Sequence, residues 1–191
     1  ASVSFVTESI GYAVGAGLTV YKTIDGGSTW SAVPVTGVPA ADLTRMRCAG
    51  TELCLASVSD GTQLLRTTDG GATWASVVAS SNPIFAAAFA TAARAVAVGG
   101  VGATAVSDSA GVTWSSASTA PLGDFRGVDA ASDSVAWYYG ERGALALTTD
   151  GGVTLRSADV PTSVGVLAAD FSDGTTGYAI DADRAGPHHQ Q

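Results

Sequence analysis

Basic charge is scarce in this chain. Its 191 residues carry nine Lys and Arg against 17 Asp and Glu, a net charge of −8. Lys22 is the single lysine, and the arginines are scattered. Phosphate binding needs clustered basic side chains, so neither nucleic acid nor an anionic membrane surface is an expected partner. Histidine is confined to His188 and His189, in a polar tail at 187–191, which leaves Ser-His-Asp catalysis without a placed base. Glutamate is limited to Glu8, Glu52 and Glu141. No run of eighteen apolar residues exists, so no membrane insertion is expected, and the apolar tract at 84–90 is too short. Residue 1 already falls in a strand-like pattern, so any signal peptide is expected to have been removed or left out. No helix signal is present. What remains is 46% hydrophobic and 14% charged with 24 Gly, a balance that suits many short strands and glycine turns.

Cysteine is also sparse. Cys48 and Cys54 flank five residues that include Gly50, and no Cys or His cluster nearby completes a zinc site. A disulfide across this short loop is favoured over free thiols. It places the protein in an oxidising compartment, extracellular or periplasmic.

One octapeptide is abundant. Thr67-Thr68-Asp69-Gly70-Gly71-Ala72-Thr73-Trp74 has a close copy in Thr23-Ile24-Asp25-Gly26-Gly27-Ser28-Thr29-Trp30. A third copy is Ser107-Asp108-Ser109-Ala110-Gly111-Val112-Thr113-Trp114, with Ser109 at the Asp position. The fourth is Thr148-Thr149-Asp150-Gly151-Gly152-Val153-Thr154-Leu155, with Leu155 replacing Trp. The copies begin 44, 40 and 41 residues apart, which means one supersecondary unit repeated. Asp-Gly-Gly is turn chemistry: glycine supplies positive φ, and the carboxylate accepts nearby backbone N–H groups. Each Trp is a large apolar anchor. Asp25, Asp69 and Asp150 are therefore read as structural rather than catalytic. One isolated carboxylate per repeat offers too few oxygens for calcium, and no metal or cofactor is expected.

Short apolar strands precede each copy. Segments 3–7, 43–48, 84–90, 125–130 and 166–171 come first, followed by 11–15, 53–57, 95–99, 135–140 and 177–180. Four strands in about forty residues is the size of a propeller blade. The expected fold is all-β: one β-propeller domain over 1–186, with blades at about 1–35, 41–79, 83–118 and 122–159 and a partial fifth at 161–181. No fifth octapeptide follows, so the chain reads as an open arc of four blades and a partial fifth; the alternative is a closed four-bladed ring with 161–180 as a surplus hairpin. The arc's end blades are expected to expose apolar surface and to self-associate or pair with missing sequence.

The octapeptides resemble the Asp-box, or BNR repeat: Ser or Thr, any residue, Asp, any, Gly, any, Thr, Trp. The first two copies match at every fixed position. The resemblance implies a β-propeller with each box between the third and fourth strands of a blade, and a ring of six or more blades of which this chain is expected to be a piece. Its boxes are similar to those of photosystem II assembly factors, sialidases, xyloglucanase-type glycosidases and sortilin-type receptors, which include enzymes and non-enzymes alike.

Strand parity puts the boxes and the Cys48–Cys54 loop on one face. The resemblance implies binding on the other, whose loops carry Asp60, 100–103, Glu141, Arg142 and 181–184. First strands lining the channel would bring Asp42, Arg45, Asp124 and Arg126 to its mouth, a candidate binding rim. A sialidase-like triad from Arg45, Arg94 and Arg126 lacks that family's Phe/Tyr-Arg-Ile-Pro signature, and nothing pairs Asp42 with Asp124 as glycosidase carboxyls. The expectation is a non-catalytic scaffold that binds a protein or glycan, with a glycoside hydrolase as the alternative.

Overall fold

The computed structural model describes residues 1–39, 41–77, 80–117, 123–158 and 165–181. The polar tail, with His188 and His189, lies outside them, as do Asp183 and Arg184. Four four-stranded antiparallel meanders follow one another in chain order. The first is β1 (Ser2–Phe5), β2 (Gly11–Gly15), β3 (Thr19–Thr23) and β4 (Ser31–Val33). The second is β5 (Leu43–Cys48), β6 (Cys54–Val58), β7 (Leu64–Thr67) and β8 (Ala75–Val77). The third is β9 (Ile84–Phe89), β10 (Ala95–Gly99), β11 (Thr104–Ser107) and β12 (Ser115–Ser116). The fourth is β13 (Phe125–Ala130), β14 (Ala136–Gly140), β15 (Leu145–Thr148) and β16 (Arg156–Ser157). A two-stranded sheet, β17 (Val166–Phe171) with β18 (Gly177–Asp181), begins a fifth. The first strands β1, β5, β9, β13 and β17 pack on one another in sequence, so the fold is a β-propeller arc of four blades and a partial fifth.

The core lies between blades rather than within them, because each sheet has two apolar faces and alternate residues serve opposite neighbours. Tyr12, Val14 and Val20 of blade 1 bury against Leu43, Met46 and Leu65 of blade 2. Leu55 and Leu64, one residue out of phase with Ala56 and Leu65, serve the joint to blade 3. Val96 and Val98 meet Phe125, Val128 and Tyr138 of blade 4. Tyr139 and Leu145 meet Val166 of the half-blade.

Among the described residues, three one-turn 3-10 helices, which no sequence periodicity announces, join second to third strands: Ala16–Leu18, Gly100–Gly102 and Glu141–Gly143. Each starts after a glycine that ends a strand and holds a residue in the left-handed region: Gly17, Val101 or Arg142. One turn is too short to show a 3.6-residue pattern.

Candidate functional site

On one face the four octapeptide turns share a hydrogen-bond pattern. In the first, the Asp25 carboxylate accepts the Thr29 N–H at 2.9 Å and the Thr29 hydroxyl at 2.6 Å. The Thr23 hydroxyl donates to Asp25 at 2.8 Å and accepts the Gly27 N–H at 2.9 Å. Thr67, Asp69, Gly71 and Thr73 repeat this, as do Thr148, Asp150, Gly152 and Thr154. In the third copy the Ser109 hydroxyl takes the Thr113 N–H at 2.8 Å, and Ser107 accepts from Gly111 at 2.9 Å. Asp108 turns away to pair with Arg94 at 2.8 Å. The indoles of Trp30, Trp74 and Trp114 each fold back to donate to the glycine carbonyl of their own turn, at 3.1, 2.8 and 3.0 Å. Leu155 packs instead into the joint between blades 3 and 4.

These acids are saturated with donors. The Thr29 hydroxyl and N–H hold the Asp25 carboxyl down to about 2, from an ordinary 3.8. Thr73 and Thr154 do the same for Asp69 and Asp150. A depressed carboxyl stabilises the fold above its unfolded pKa and loses that contribution as pH falls through the folded one. The melting temperature should therefore decline as pH drops from about 4 to about 2. Ser109→Asp should steepen that decline, and an unchanged slope in this variant would contradict the assignment.

The same face ties neighbouring blades. The Arg66 guanidinium donates to the Ala110 carbonyl of the next turn at 2.7 Å, and Arg94 to that of Gly151 at 2.8 Å. Tyr12 donates to the Thr51 carbonyl, within the loop closed by the Cys48–Cys54 disulfide. Arg94 is thus committed to the face of the octapeptide turns and does not converge with Arg45 and Arg126.

The opposite face is shaped by a bulge at one position in blades 2 to 5. Pairing skips Thr44, Phe85, Arg126 and Leu167 in turn, so each is an extra residue in its first strand. A bulge re-aims the side chain it carries. The Arg126 guanidinium lies 4.4 Å over the Phe85 ring of the adjacent blade, a cation–π contact. Its Nε donates to Glu141 at 2.9 Å, and Asp124 stands 3.9 Å from its terminal nitrogen. Gly123, Asp124, Glu141 and Arg142 line a notch of about 130 Å³ beside it. Arg142 is exposed and has no hydrogen-bond or ion-pair partner among the described residues. Arg45 reaches from blade 2 to blade 4, where its Nη1 is 3.3 Å from the Tyr139 hydroxyl.

Asp42 and Asp124 have a different role. The Asp42 carboxylate accepts the Gly17 N–H at 2.8 Å, and that of Asp124 accepts the Val101 N–H at 2.7 Å. Each clamps the 3-10 turn of the preceding blade, and the two sit two blades apart. The row of bulge residues, Phe85 above all, carries no motif. Its only trace is one residue too many for strict alternation in each first strand.

The family described as photosynthesis system II assembly factor YCF48 matches residues 1–136. The chain belongs to this family. Among solved structures, YCF48 bound to D1 peptide is similar at 18% identity and a TM-score of 0.72, over 94% of this chain and 59% of that one. YCF48 from Cyanidioschyzon merolae is similar at 16% identity and a TM-score of 0.73, over 95% of this chain and 66% of that one. An ancestral GH74 enzyme shares the fold at 15% identity and a TM-score of 0.74, over 93% of this chain and 27% of that one. The chain thus spans about three-fifths to two-thirds of the length of these YCF48 structures. No curated protein sequence matches it.

Proposed function

We propose that this YCF48-family chain is a non-catalytic interaction propeller that binds an extended protein segment on the face opposite the boxes. The observation that carries the reading is Arg126, aimed by a bulge, stacked on Phe85 and held by Glu141 at the exposed rim. A guanidinium fixed in this way loses little freedom on binding and can donate to a carboxylate or peptide carbonyl. Membership of the family, and a YCF48 structure with a D1 peptide bound, support a peptide as the ligand. The Asp-box reading of the four turns is supported by their shared carboxylate and hydroxyl bonds. The Cys48–Cys54 bond supports a secreted or periplasmic location. Self-association through the open blade edges belongs to the same reading.

A glycan ligand or glycoside hydrolysis is the alternative, supported by the fold shared with the GH74 enzyme. It has less to draw on, because Asp42 and Asp124 are each engaged by a backbone N–H. Titration with a fluorescent D1 peptide should give saturable binding, weakened about tenfold or more in Arg126→Ala. Asp108→Ala, on the box face, should bind as the parent does. No saturable binding, or equal binding in Arg126→Ala, would refute the peptide reading; turnover of chromogenic glycosides lost in Asp124→Asn would replace it.

A further inference from the structure

Left-handed backbone favours glycine, yet among the described residues Leu18, Val101, Ala110 and Arg142 adopt it, with φ of 60°, 56°, 55° and 56°. Two of these have an internal account. Leu18 is buried in the joint between blades 1 and 2, and its N–H donates to the Ala41 carbonyl at 2.6 Å. Ala110 stands where the other boxes carry Gly26, Gly70 and Gly151, and its carbonyl receives the Arg66 guanidinium. Val101 and Arg142 have no such account. Val101 is 78% exposed, and Arg142 is exposed with no hydrogen-bond or ion-pair partner among the described residues.

The two occupy one structural position on the face opposite the boxes. Each 3-10 turn there places two successive residues in the left-handed region: Gly17 with Leu18, Val101 with Gly102, and Arg142 with Gly143. Blade 1 has glycine at the first of the pair, and a Cβ added to Gly17 would have nothing within 4 Å. A side chain at this position meets open space and adds no packing. Blades 3 and 4 nevertheless carry a β-branched and a long side chain there, against the preference of the backbone. Strain that no internal contact offsets is characteristic of ligand-binding positions.

Asp124 lies beside both. Its carboxylate accepts the Val101 N–H at 2.7 Å, and it lines the notch of about 130 Å³ with Gly123, Glu141 and Arg142. The two acids of that notch are engaged elsewhere, Asp124 by the Val101 N–H and Glu141 by Arg126. The Arg142 guanidinium thus keeps its fork of donors for an outside carboxylate. We propose that Val101 and Arg142 are the residues that read the bound segment, Val101 taking an apolar side chain and Arg142 the carboxylate of an acidic one. The proposal rests on the peptide reading above and deepens it, from a rim that holds a peptide to one that selects its sequence.

Fluorescent alanine peptides carrying Leu and Asp at increasing separations test it, beside copies with Ser for Leu or Asn for Asp. The parent should bind one spacing about tenfold or more tighter than either copy. Val101→Gly should erase the preference for Leu alone, and Arg142→Gly the preference for Asp alone. Both variants should denature at the same or higher denaturant concentration, because glycine relieves the left-handed backbone. A parent that does not discriminate, or discrimination that survives both substitutions, overturns the assignment. So does a lower denaturation midpoint in either variant, which would give that side chain an internal role. A fluorescent D1 peptide separates this proposal from the broader reading. Binding that is lost in Arg126→Ala but unchanged in both glycine variants overturns the proposal and leaves the peptide reading standing. No saturable binding of any of these peptides overturns both.

Discussion

Gly99→Ala should unfold the protein at markedly lower denaturant, with a loss of about 4 kcal/mol or more. The backbone at Gly99 is extended, with φ near −169°, so any residue could adopt it. The cost is steric. An added Cβ would lie 1.7 Å from the Pro83 carbonyl oxygen and 2.9 Å from the Ile84 Cα. These are backbone atoms beside the β9 bulge, and no rotamer change can clear them. Pro83 is further held by the Gly100 N–H on its carbonyl, at 3.0 Å. Gly100→Ala is the control: its Cβ would meet the Phe85 ring at 3.3 Å, a side chain able to shift. That change should cost about 1 kcal/mol or less. Equal denaturation midpoints for the two variants would mean that the bulge yields.

The second large effect is local. Trp137→Ala should release the half-blade while blades 1 to 4 stay folded. The half-blade has one neighbouring blade among the described residues, and Trp137 supplies much of that joint. It stacks on Phe171, and its indole N–H donates to the Asp173 carbonyl at 3.3 Å. The Asp129 carboxylate accepts the Phe171 N–H at 2.7 Å beside it. Burial pushes the Asp129 carboxyl up, and a single hydrogen bond of about 1 kcal/mol is a weak substitute for the lost ring. Truncating a packed Trp costs about 3 kcal/mol. Hydrogen exchange over 165–181 should rise about a hundredfold, with 1–158 unaffected. Uniform acceleration along the chain would show that the fifth sheet and the arc unfold together.

The repeated turns made the architecture legible. Asp-Gly-Gly with a flanking Thr encodes its geometry within eight residues, so spacing alone located the third and fourth strands of four blades. The substitutions were readable too, since Ser109 offers one oxygen where Asp69 offers two. The rim opposite was not legible in the same way. Asp42 and Asp124 could be placed near its mouth, but their acceptor role depends on N–H groups of another blade, at Gly17 and Val101. Arg45 meets Tyr139 across 94 residues of sequence, and Arg126 meets Phe85 only because both first strands bulge at one place. Contacts of that range leave no periodic trace in one sequence.

The joints between blades have a direction. A finished blade offers the second residue of its second strand, and the blade that follows lays its first strand upon it. Tyr12, Leu55, Val96 and Trp137 are all translated before the strands they receive. A chain leaving the ribosome can therefore seat each new first strand on a sheet that already exists, needing no residue still to be made. Growth of the arc and synthesis of the polypeptide run the same way.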